Sequence, residues 1–228
     1  MTQAHKQHKY YGLRDILRKL TNIRMELKLY KRHYLNNRYR LKKLLADKNK
    51  LHFGSGRDIK EGFINIDLHH LADIFLDVRA KLNIPDNSIK YIYSSHFVEH
   101  LEHEELITHL SDCYRFLEPG GVLRIGFPDF PKVFRCYCAD GKELFEFWGN
   151  TLSEKYGLPP DLICAMDYIN SSVYEFGQHK ICLDMEKMKN LLTYSGFDPL
   201  SINSLDFDPD IDLIERREYT LFIEAVKK

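Results

Sequence analysis

The stretch Leu51-His52-Phe53-Gly54-Ser55-Gly56-Arg57, followed after a short gap by Phe63-Ile64-Asn65-Ile66-Asp67, decides how this chain folds. It predicts an apolar β-strand, a glycine turn, a brief connection and a second strand that ends in an acid. Glycines at the carboxyl end of a parallel strand let the backbone approach a ligand closely. An acid at the end of the next strand can bind both hydroxyls of a ribose. The stretch therefore predicts a nucleotide-type binding site.

Strand-like and helix-like segments alternate along the rest of the chain. Strands are predicted at 50–53, 63–67, 73–77, 89–94, 122–127, 200–207 and 219–226, and helices at 102–117 and 185–194. This alternation predicts an α/β domain with a doubly wound, mostly parallel, seven-stranded Rossmann-like sheet. Ligands of such sheets bind beyond the carboxyl ends of the strands. The residues predicted at those ends are Gly54, Gly56, Asp67, Asp77, Ser94, Ser95, His96 and Asp129.

Composition and charge divide the chain into two parts. The 228 residues are 44% hydrophobic, and no apolar run reaches the length of a membrane span. Residues 1–50 carry 15 basic and 3 acidic residues, whereas the remainder carries 18 basic and 30 acidic residues. A basic arm over residues 1–46 and a domain over residues 47–228 are therefore predicted. The five cysteines are odd in number and lack metal-binding spacing, which favours reduced thiols and a cytoplasmic protein.

The basic arm has the apolar periodicity of a long amphipathic helix that begins at about residue 13. Two rows follow a heptad spacing: Leu13, Leu20, Leu27, Tyr34 and Leu41, and Ile16, Ile23, Tyr30, Asn37 and Leu44. Three uses of this helix compete. It could pack on its own domain or on a second copy in a homo-oligomer, lie on an anionic membrane surface, or bind nucleic acid.

The order of the motifs resembles that of class I S-adenosylmethionine-dependent methyltransferases, in a subgroup similar to methyltransferase type 11. The resemblance covers residues 50–228 and leaves out the arm. It is carried by the glycine turn and by five later motifs: Gly62-Phe63-Ile64-Asn65-Ile66-Asp67, Asp77-Val78, Ser95-His96-Phe97-Val98-Glu99-His100-Leu101, Leu117-Glu118-Pro119-Gly120-Gly121 and Pro128-Asp129.

The resemblance implies a cofactor site for S-adenosylmethionine. Phe53, Gly54, Ser55 and Gly56 would wrap its methionine part, and Asp67, with Leu68 beside it, would hold the ribose. Asp77 and Val78 would face the adenine, and Ser95 and His96 would line the pocket. The chain departs from the family pattern at Arg57, where a third glycine is common. Asp67 comes only 11 residues after Gly56, which leaves no room for the helix that binds a pyrophosphate. S-Adenosylmethionine has no phosphate, so the short connection favours it over NAD.

The predicted chemistry is methyl transfer to a positioned acceptor. A hydroxyl acceptor also needs a base, and His96, Asp129 and His179 are the catalytic candidates. Glu99 and His100 are expected to begin a helix. No metal is expected; the alternative is a divalent ion held by His96, Glu99, His100 and His179.

The predicted function is O-methylation of a small-molecule or saccharide acceptor. The alternatives are a non-catalytic protein that binds S-adenosylmethionine within an assembly, and an RNA methyltransferase guided by the basic arm. A helical, aromatic-rich insertion is expected over residues 132–178. Its aromatic side chains would form a small core of their own or a lid that carries the acceptor pocket.

Overall fold

A computed structural model describes residues 37–79, 82–144, 151–157 and 159–228 of the chain. These residues form a seven-stranded sheet flanked by helices. The strands are β1 Lys50–Phe53, β2 Ile64–Asp67, β3 Ile74–Phe75, β4 Ile89–Ser95, β5 Leu117–Pro128, β6 Ile202–Leu205 and β7 Thr220–Val226. The described α-helices are α1 Arg38–Asp47, α2 His103–Phe116, α3 Phe130–Ala139, α4 Thr151–Tyr156, α5 Ala165–Val173 and α6 Met185–Tyr194.

The sheet has the strand order β3-β2-β1-β4-β5-β7-β6. Strands β1 to β5 are parallel, and β7 lies antiparallel between β5 and β6. The strand order reverses between β1 and β4, and this is the switch point at which ligands of such sheets bind. The predicted doubly wound, mostly parallel seven-stranded sheet is confirmed.

The central strands are apolar because both faces of a parallel sheet are covered. Leu51, Phe53, Ile64, Ile66 and Ile92 are all fully buried. Their burial fixes the register of β1 against β2 and β4, since a slip by one residue would move every side chain to the other face. The carboxyl ends of β1, β2 and β4 are thereby set side by side.

The connection from β1 to β2 contains turns and no helix. The backbone N–H of Gly54 donates to the carbonyl of Ile66 at 3.0 Å, and Asp58 N donates to the Ser55 carbonyl at 2.8 Å. The chain thus reaches β2 without the helix that usually follows the first strand, as the short spacing to Asp67 predicted.

The sequence misplaced the start of β5. Residues 118–121 were predicted as the turn that ends a helix, with the strand beginning at 122. Instead α2 ends at Phe116 and β5 begins at Leu117. The reason is pairing with the end of the chain: Gly120 N donates to the Lys227 carbonyl at 2.7 Å, and Lys227 N donates to the Gly121 carbonyl at 2.9 Å.

Most of the predicted long helix falls on residues 1–36, outside the described residues. The described end of the arm is α1, which packs on the domain through Leu41, whose side chain is 4% exposed. Asn37 donates its side-chain amide to the Phe75 carbonyl at the sheet edge. Within the part of the chain that the structure describes, no helix combines the length and apolar character needed to cross a membrane.

The insertion packs as a second, smaller core beside the sheet. Its members are Val133, Cys136, Leu144, Leu152, Ile163, Tyr168 and Tyr219. Of the aromatic residues predicted for a core or a lid, Tyr168 is buried, while Phe134, Tyr137 and Tyr174 are exposed. Phe145, Phe147 and Trp148 lie outside the described residues. The insertion core is therefore mainly aliphatic where it is described. All five cysteines of the chain lie among the described residues and are free thiols.

Candidate functional site

The turn after β1 holds two glycines in the left-handed region of backbone conformation. Gly54 has a φ of +68° and Gly56 a φ of +50°, where L side chains are strained. A Cβ on Gly54 would also stand 2.5 Å from the Cβ of Phe97, whereas one on Gly56 would meet nothing within 4 Å. Gly54 thus lets β1 pack against Phe97, and open space lies beside Gly56.

Ser55 lies between these glycines and has an unsatisfied hydroxyl. The residue is 2% exposed, and its Oγ has no hydrogen-bond partner among the described residues. Buried polar atoms in proteins nearly always have a partner. The free hydroxyl and the open space beside Gly56 fit the polar methionine end of S-adenosylmethionine.

Asp67 is fixed at the end of β2, beside the glycine turn. Its Oδ2 accepts from Gly56 N at 2.9 Å, and its Oδ1 accepts from His69 N at 2.7 Å. Each carboxylate oxygen keeps a free lone pair. The side chain is therefore both held in place and able to accept a further hydrogen bond, as a ribose contact requires.

Asp77 lies beyond β3 and binds the guanidinium of Arg79. Arg79 Nε donates to Asp77 Oδ1 at 2.9 Å, and Nη2 donates to Oδ2 at 2.5 Å. Val78 packs against the edge of the main core. A contact between Asp77 and an adenine amino group would have to replace the Arg79 pair.

The other predicted cofactor residues take different positions. The Phe53 side chain is fully buried, with its ring edge-on to His109 at 4.9 Å between centroids, so only its backbone faces the turn. Leu68 is 48% exposed beside Asp67. Ser95 is buried, and its carbonyl accepts from Arg216 Nη1 at 2.5 Å.

A cavity of about 320 Å³ lies beyond the ends of β4, β5 and β7. It is walled by segments that are distant in sequence, and we refer to it as the histidine cavity. Its described lining consists of His96, Glu99, His100, Pro128, Val133, Lys155, Ser171, Ser172, Glu175, His179, Glu215, Arg216, Tyr219 and Thr220.

His96 follows β4 with a φ of +51°, a costly conformation for a residue other than glycine. Its Nε2 lies 2.8 Å from Thr220 Oγ1, and its Nδ1 lies 3.7 Å from Glu99 Oε1. Burial, with the nearby charge of Arg216, lowers the pKa of His96 to about 3. The imidazole is therefore neutral over the whole physiological range.

Glu99 is fully buried in the wall of the cavity. Neither carboxylate oxygen has a hydrogen-bond partner among the described residues. Burial raises the pKa of Glu99 to about 7 because a charged carboxylate is disfavoured away from water.

His179 and His100 face the same carboxylate. His179 Nε2 lies 4.0 Å from Glu99 Oε1 and 2.8 Å from Glu175 Oε2. Burial opposes the charged form of His179, but the hydrogen bond to Glu175 and the charge of Glu99 outweigh it and raise the pKa. Burial lowers the pKa of His100.

Asp129 lies outside the histidine cavity. Its Oδ1 accepts from the backbone N–H of Lys132 at 2.8 Å and so caps the N-terminus of α3. It borders a separate depression with Arg135 and Met185. Of the three predicted catalytic residues, the structure brings His96 and His179 together and leaves Asp129 apart.

The cavity residues that were not predicted as functional include Glu175, Arg216 and Thr220. Glu99 was expected to begin a helix or, in the alternative, to help hold a divalent ion; it lies in the 3₁₀ turn Val98–His100, ahead of α2. Glu175, Arg216 and Thr220 lie in segments without a recognisable motif, so sequence alone gave no signal for them.

Residues 47–125 match the family model of a methyltransferase domain. The match includes the glycine turn, Asp67, His96 and Glu99. No curated protein matches the sequence.

Solved structures of similar shape include several methyltransferases. A SAM-dependent methyltransferase from Archaeoglobus fulgidus is 20% identical, covering 83% of this chain and 92% of its own, with a TM-score of 0.49. One from Thermotoga maritima, described as a possible histamine N-methyltransferase, is 16% identical. The match covers 92% of this chain and 97% of that chain, with a TM-score of 0.46. One from Mesorhizobium loti is 14% identical. The match covers 79% of this chain and 91% of that chain, with a TM-score of 0.46. Likenesses of this size add no weight to the family match.

Proposed function

Because the chain is a class I S-adenosylmethionine-dependent methyltransferase, we propose that it transfers the methyl group to a hydroxyl oxygen of a small-molecule or saccharide acceptor bound in the histidine cavity. One observation carries this proposal. The cavity lies beyond the ends of β4 and β5, at the same edge of the sheet as the glycine turn and Asp67, and its wall contains the neutral imidazole of His96. A methyl donor and a proton acceptor are thereby available at one edge of the sheet.

The size and polarity of the cavity support a small acceptor. A volume of about 320 Å³ lies at the lower end of the range for small-molecule sites, about 300–1,000 Å³. Its walls carry the carboxylates of Glu99, Glu175 and Glu215 beside the cationic side chains of Lys155 and Arg216. Such a mixed polar lining suits an acceptor with several hydroxyl groups.

We propose that His96 accepts the proton of the acceptor hydroxyl. Its imidazole is neutral before the reaction, and Glu99 Oε1, at 3.7 Å from Nδ1, would stabilise the imidazolium that forms. His179, whose Nδ1 donates to the Ser172 carbonyl at 2.6 Å, would orient the acceptor. We leave Asp129 out of this group because its carboxylate caps α3 and does not line the cavity.

The proposed cofactor contacts follow the predicted set: the turn 53–56, Asp67 with Leu68, Asp77 with Val78, and Ser95 with His96. Bound S-adenosylmethionine supplies an activated methyl group. In the proposed arrangement the chain's own residues bind this group and direct it toward the acceptor. Arg79 would release Asp77 when the adenine binds, since both use the same carboxylate.

The test is transfer of radiolabelled methyl from S-adenosylmethionine to a panel of monosaccharides and other hydroxyl compounds, with primary amines as the comparison. We expect label on oxygen in at least one hydroxyl compound. His96→Ala should abolish transfer, while calorimetry should still detect cofactor binding because the glycine turn and Asp67 are unchanged. His103→Ala, an exposed histidine of the same segment, is the matched control and should keep full activity.

Label found only on nitrogen would overturn the choice of acceptor. Full activity in His96→Ala would overturn the assigned base. Tight cofactor binding without transfer to any acceptor would favour the non-catalytic alternative.

We further propose that residues 1–36 pair with the same segment of a second copy, in the cytoplasm. The two heptad rows of the sequence support this, because a narrow apolar seam is suited to helix pairing. Deleting residues 1–36, which keeps Leu41 in the core, should convert a dimer to a monomer in sedimentation experiments. A protein that keeps its oligomeric state after the deletion would contradict the pairing. If the deletion instead removes binding to lipid vesicles, the membrane alternative is favoured.

A further inference from the structure

The histidine cavity contains a buried carboxylate that lacks a partner. The Glu99 side chain is fully buried, and both of its oxygens are without hydrogen bonds among the described residues. The nearest imidazole nitrogens, on His96 and His179, stand at 3.7 and 4.0 Å, which is beyond hydrogen-bond distance. A buried carboxylate without a partner is costly, so this arrangement indicates a binding site for a cation or a hydrogen-bond donor.

Two imidazoles are oriented toward this carboxylate by their own backbone contacts. His179 Nδ1 lies 2.6 Å from the Ser172 carbonyl, and His100 Nδ1 lies 3.3 Å from the Gln178 carbonyl. A carbonyl can only accept, so Nδ1 of each ring carries the proton. The remaining ligand atom of each ring is Nε2, which on His179 contacts Glu175 Oε2 at 2.8 Å. Metal-binding histidines characteristically donate their second ring nitrogen to a carbonyl or carboxylate in this way.

The three side chains lie close enough to share one ion. One ligand atom each from Glu99, His100 and His179 lies within 4.8 Å of the others. Ligands at about 2.0–2.2 Å from a common ion stand roughly 3–4 Å apart. Side-chain movements of less than about 1 Å would therefore complete the geometry. Glu175, which holds His179 Nε2 at 2.8 Å, would give up that contact when the ion binds.

We propose that Glu99, His100 and His179 bind a divalent transition-metal ion of the zinc class. Two imidazoles and one carboxylate suit zinc, cobalt or manganese better than magnesium or calcium, which prefer oxygen ligands. Three protein ligands leave positions open toward the cavity. Metal binding itself does not depend on the proposed function. The role of the metal in methyl transfer does rest on the proposed function, because an acceptor hydroxyl bound to the ion at an open position would lose its proton to His96 more readily.

The test uses the full-length chain without a polyhistidine tag, treated with a chelator and dialysed. Zn²⁺ is titrated by calorimetry, and Co²⁺ is followed by its visible absorption. We expect one high-affinity site per chain. Removing a residue that only orients a metal ligand typically costs about 10–100-fold in metal affinity. Removing a ligand itself, as in Glu99→Gln and His179→Ala, should therefore cost at least about 100-fold in each case.

Two controls separate this site from other histidines. His103→Ala, and the paired change His69→Ala with His70→Ala, should leave the high-affinity site intact. Glu99→Gln should also keep or raise the thermal melting temperature of the metal-free protein, because it removes a buried charge. A residue with only a structural role would instead lower it.

Absence of stoichiometric Zn²⁺ binding, or binding that Glu99→Gln and His179→Ala leave unchanged, would overturn the metal site. These results are independent of methyl transfer. If Zn²⁺ binds and the chelated enzyme still transfers methyl groups at full rate, the site stands and its catalytic role is refuted. If Zn²⁺ binds and no hydroxyl is methylated, the proposed acceptor fails and the metal site stands.

Discussion

Replacing Asp67 tests the cofactor site most directly. Asp67→Ala removes the carboxylate that the structure fixes at the end of β2, beside the glycine turn. A hydrogen bond to a charged group contributes about 1.5–3 kcal/mol. Because 1.4 kcal/mol corresponds to a factor of ten in affinity, one lost ribose contact should raise the dissociation constant for S-adenosylmethionine by about 10–150-fold.

The same change also affects the fold, so stability must be measured beside affinity. Asp67 accepts hydrogen bonds from Gly56 N and His69 N, and removing the carboxylate leaves both donors without their acceptor. Asp67→Asn keeps the shape and one acceptor oxygen, and it removes the charge. If the ribose contact is real, Asp67→Asn should already lose at least about tenfold in affinity with a smaller loss of stability than Asp67→Ala.

Asp73, directly before β3, provides a matched control. Its Oδ2 accepts from the backbone and side-chain nitrogens of Asn65, both at 3.0 Å, and it lies at the amino end of β3, away from the carboxyl ends of the strands. Asp73→Ala should lower the melting temperature about as much as Asp67→Ala but leave cofactor affinity within about twofold. Titration calorimetry with S-adenosylmethionine measures the affinity. Equal losses in Asp67→Ala and Asp73→Ala, or unchanged affinity in Asp67→Ala, would refute the assignment.

Three further predictions concern stability. Gly54→Ala should destabilise the protein by more than the roughly 1–3 kcal/mol that a non-glycine residue costs in the left-handed region, because its Cβ would meet Phe97 at 2.5 Å. Gly56→Ala has free space around the new Cβ and should cost less free energy of unfolding, as measured with denaturant. Equal costs would contradict the packing argument. Asp212→Ala should cost about 3–5 kcal/mol in urea unfolding, since it leaves the buried Arg124 without its closest partner; a loss below about 1 kcal/mol would show that the pair is dispensable. Burial lowers the pKa of His109 to about 4 from 6.5, so its contribution to the free energy of unfolding is complete above pH 6.5 and is lost as pH falls toward 4. His109→Leu should therefore reduce the difference in unfolding free energy between pH 7.5 and pH 4 by about 3 kcal/mol. An unchanged difference would refute the buried neutral histidine.

Local patterns were sufficient to predict the strands that carry the cofactor site. The predicted and observed bounds agree for β1 and for α6, and those of β2 and β4 differ by one residue. The short spacing from Gly56 to Asp67 correctly predicted a connection without a helix. The error at residues 118–121 arose because the proline and glycines there indicate a turn, whereas pairing of Gly120 and Gly121 with Lys227 extends β5. A contact over more than 100 residues leaves no local signal.

The candidate site was less predictable because its polar residues come from separated segments. His96 was recognised since it directly follows a strand, and His179 since it precedes a helix. Glu99 was interpreted as an acid that begins a helix, which is the ordinary role of that residue type at that position. What distinguishes Glu99 is complete burial without a partner, and burial of one side chain depends on the packing of the whole domain.

The division of the cavity between matched and unmatched sequence has a consequence for acceptor choice. The family match ends at residue 125, so it contains the glycine turn, Asp67, His96, Glu99 and His100. The opposite wall comes from residues 171–179 and 215–220, which lie beyond the match. The predicted cofactor residues Gly54, Gly56 and Asp67 therefore lie in the part of the chain that matches the family model. If the acceptor binds in this cavity as proposed, one wall that it contacts lies beyond the match, and Glu175 there is a position at which we expect acceptor specificity to change while the glycine turn and Asp67 stay unaltered.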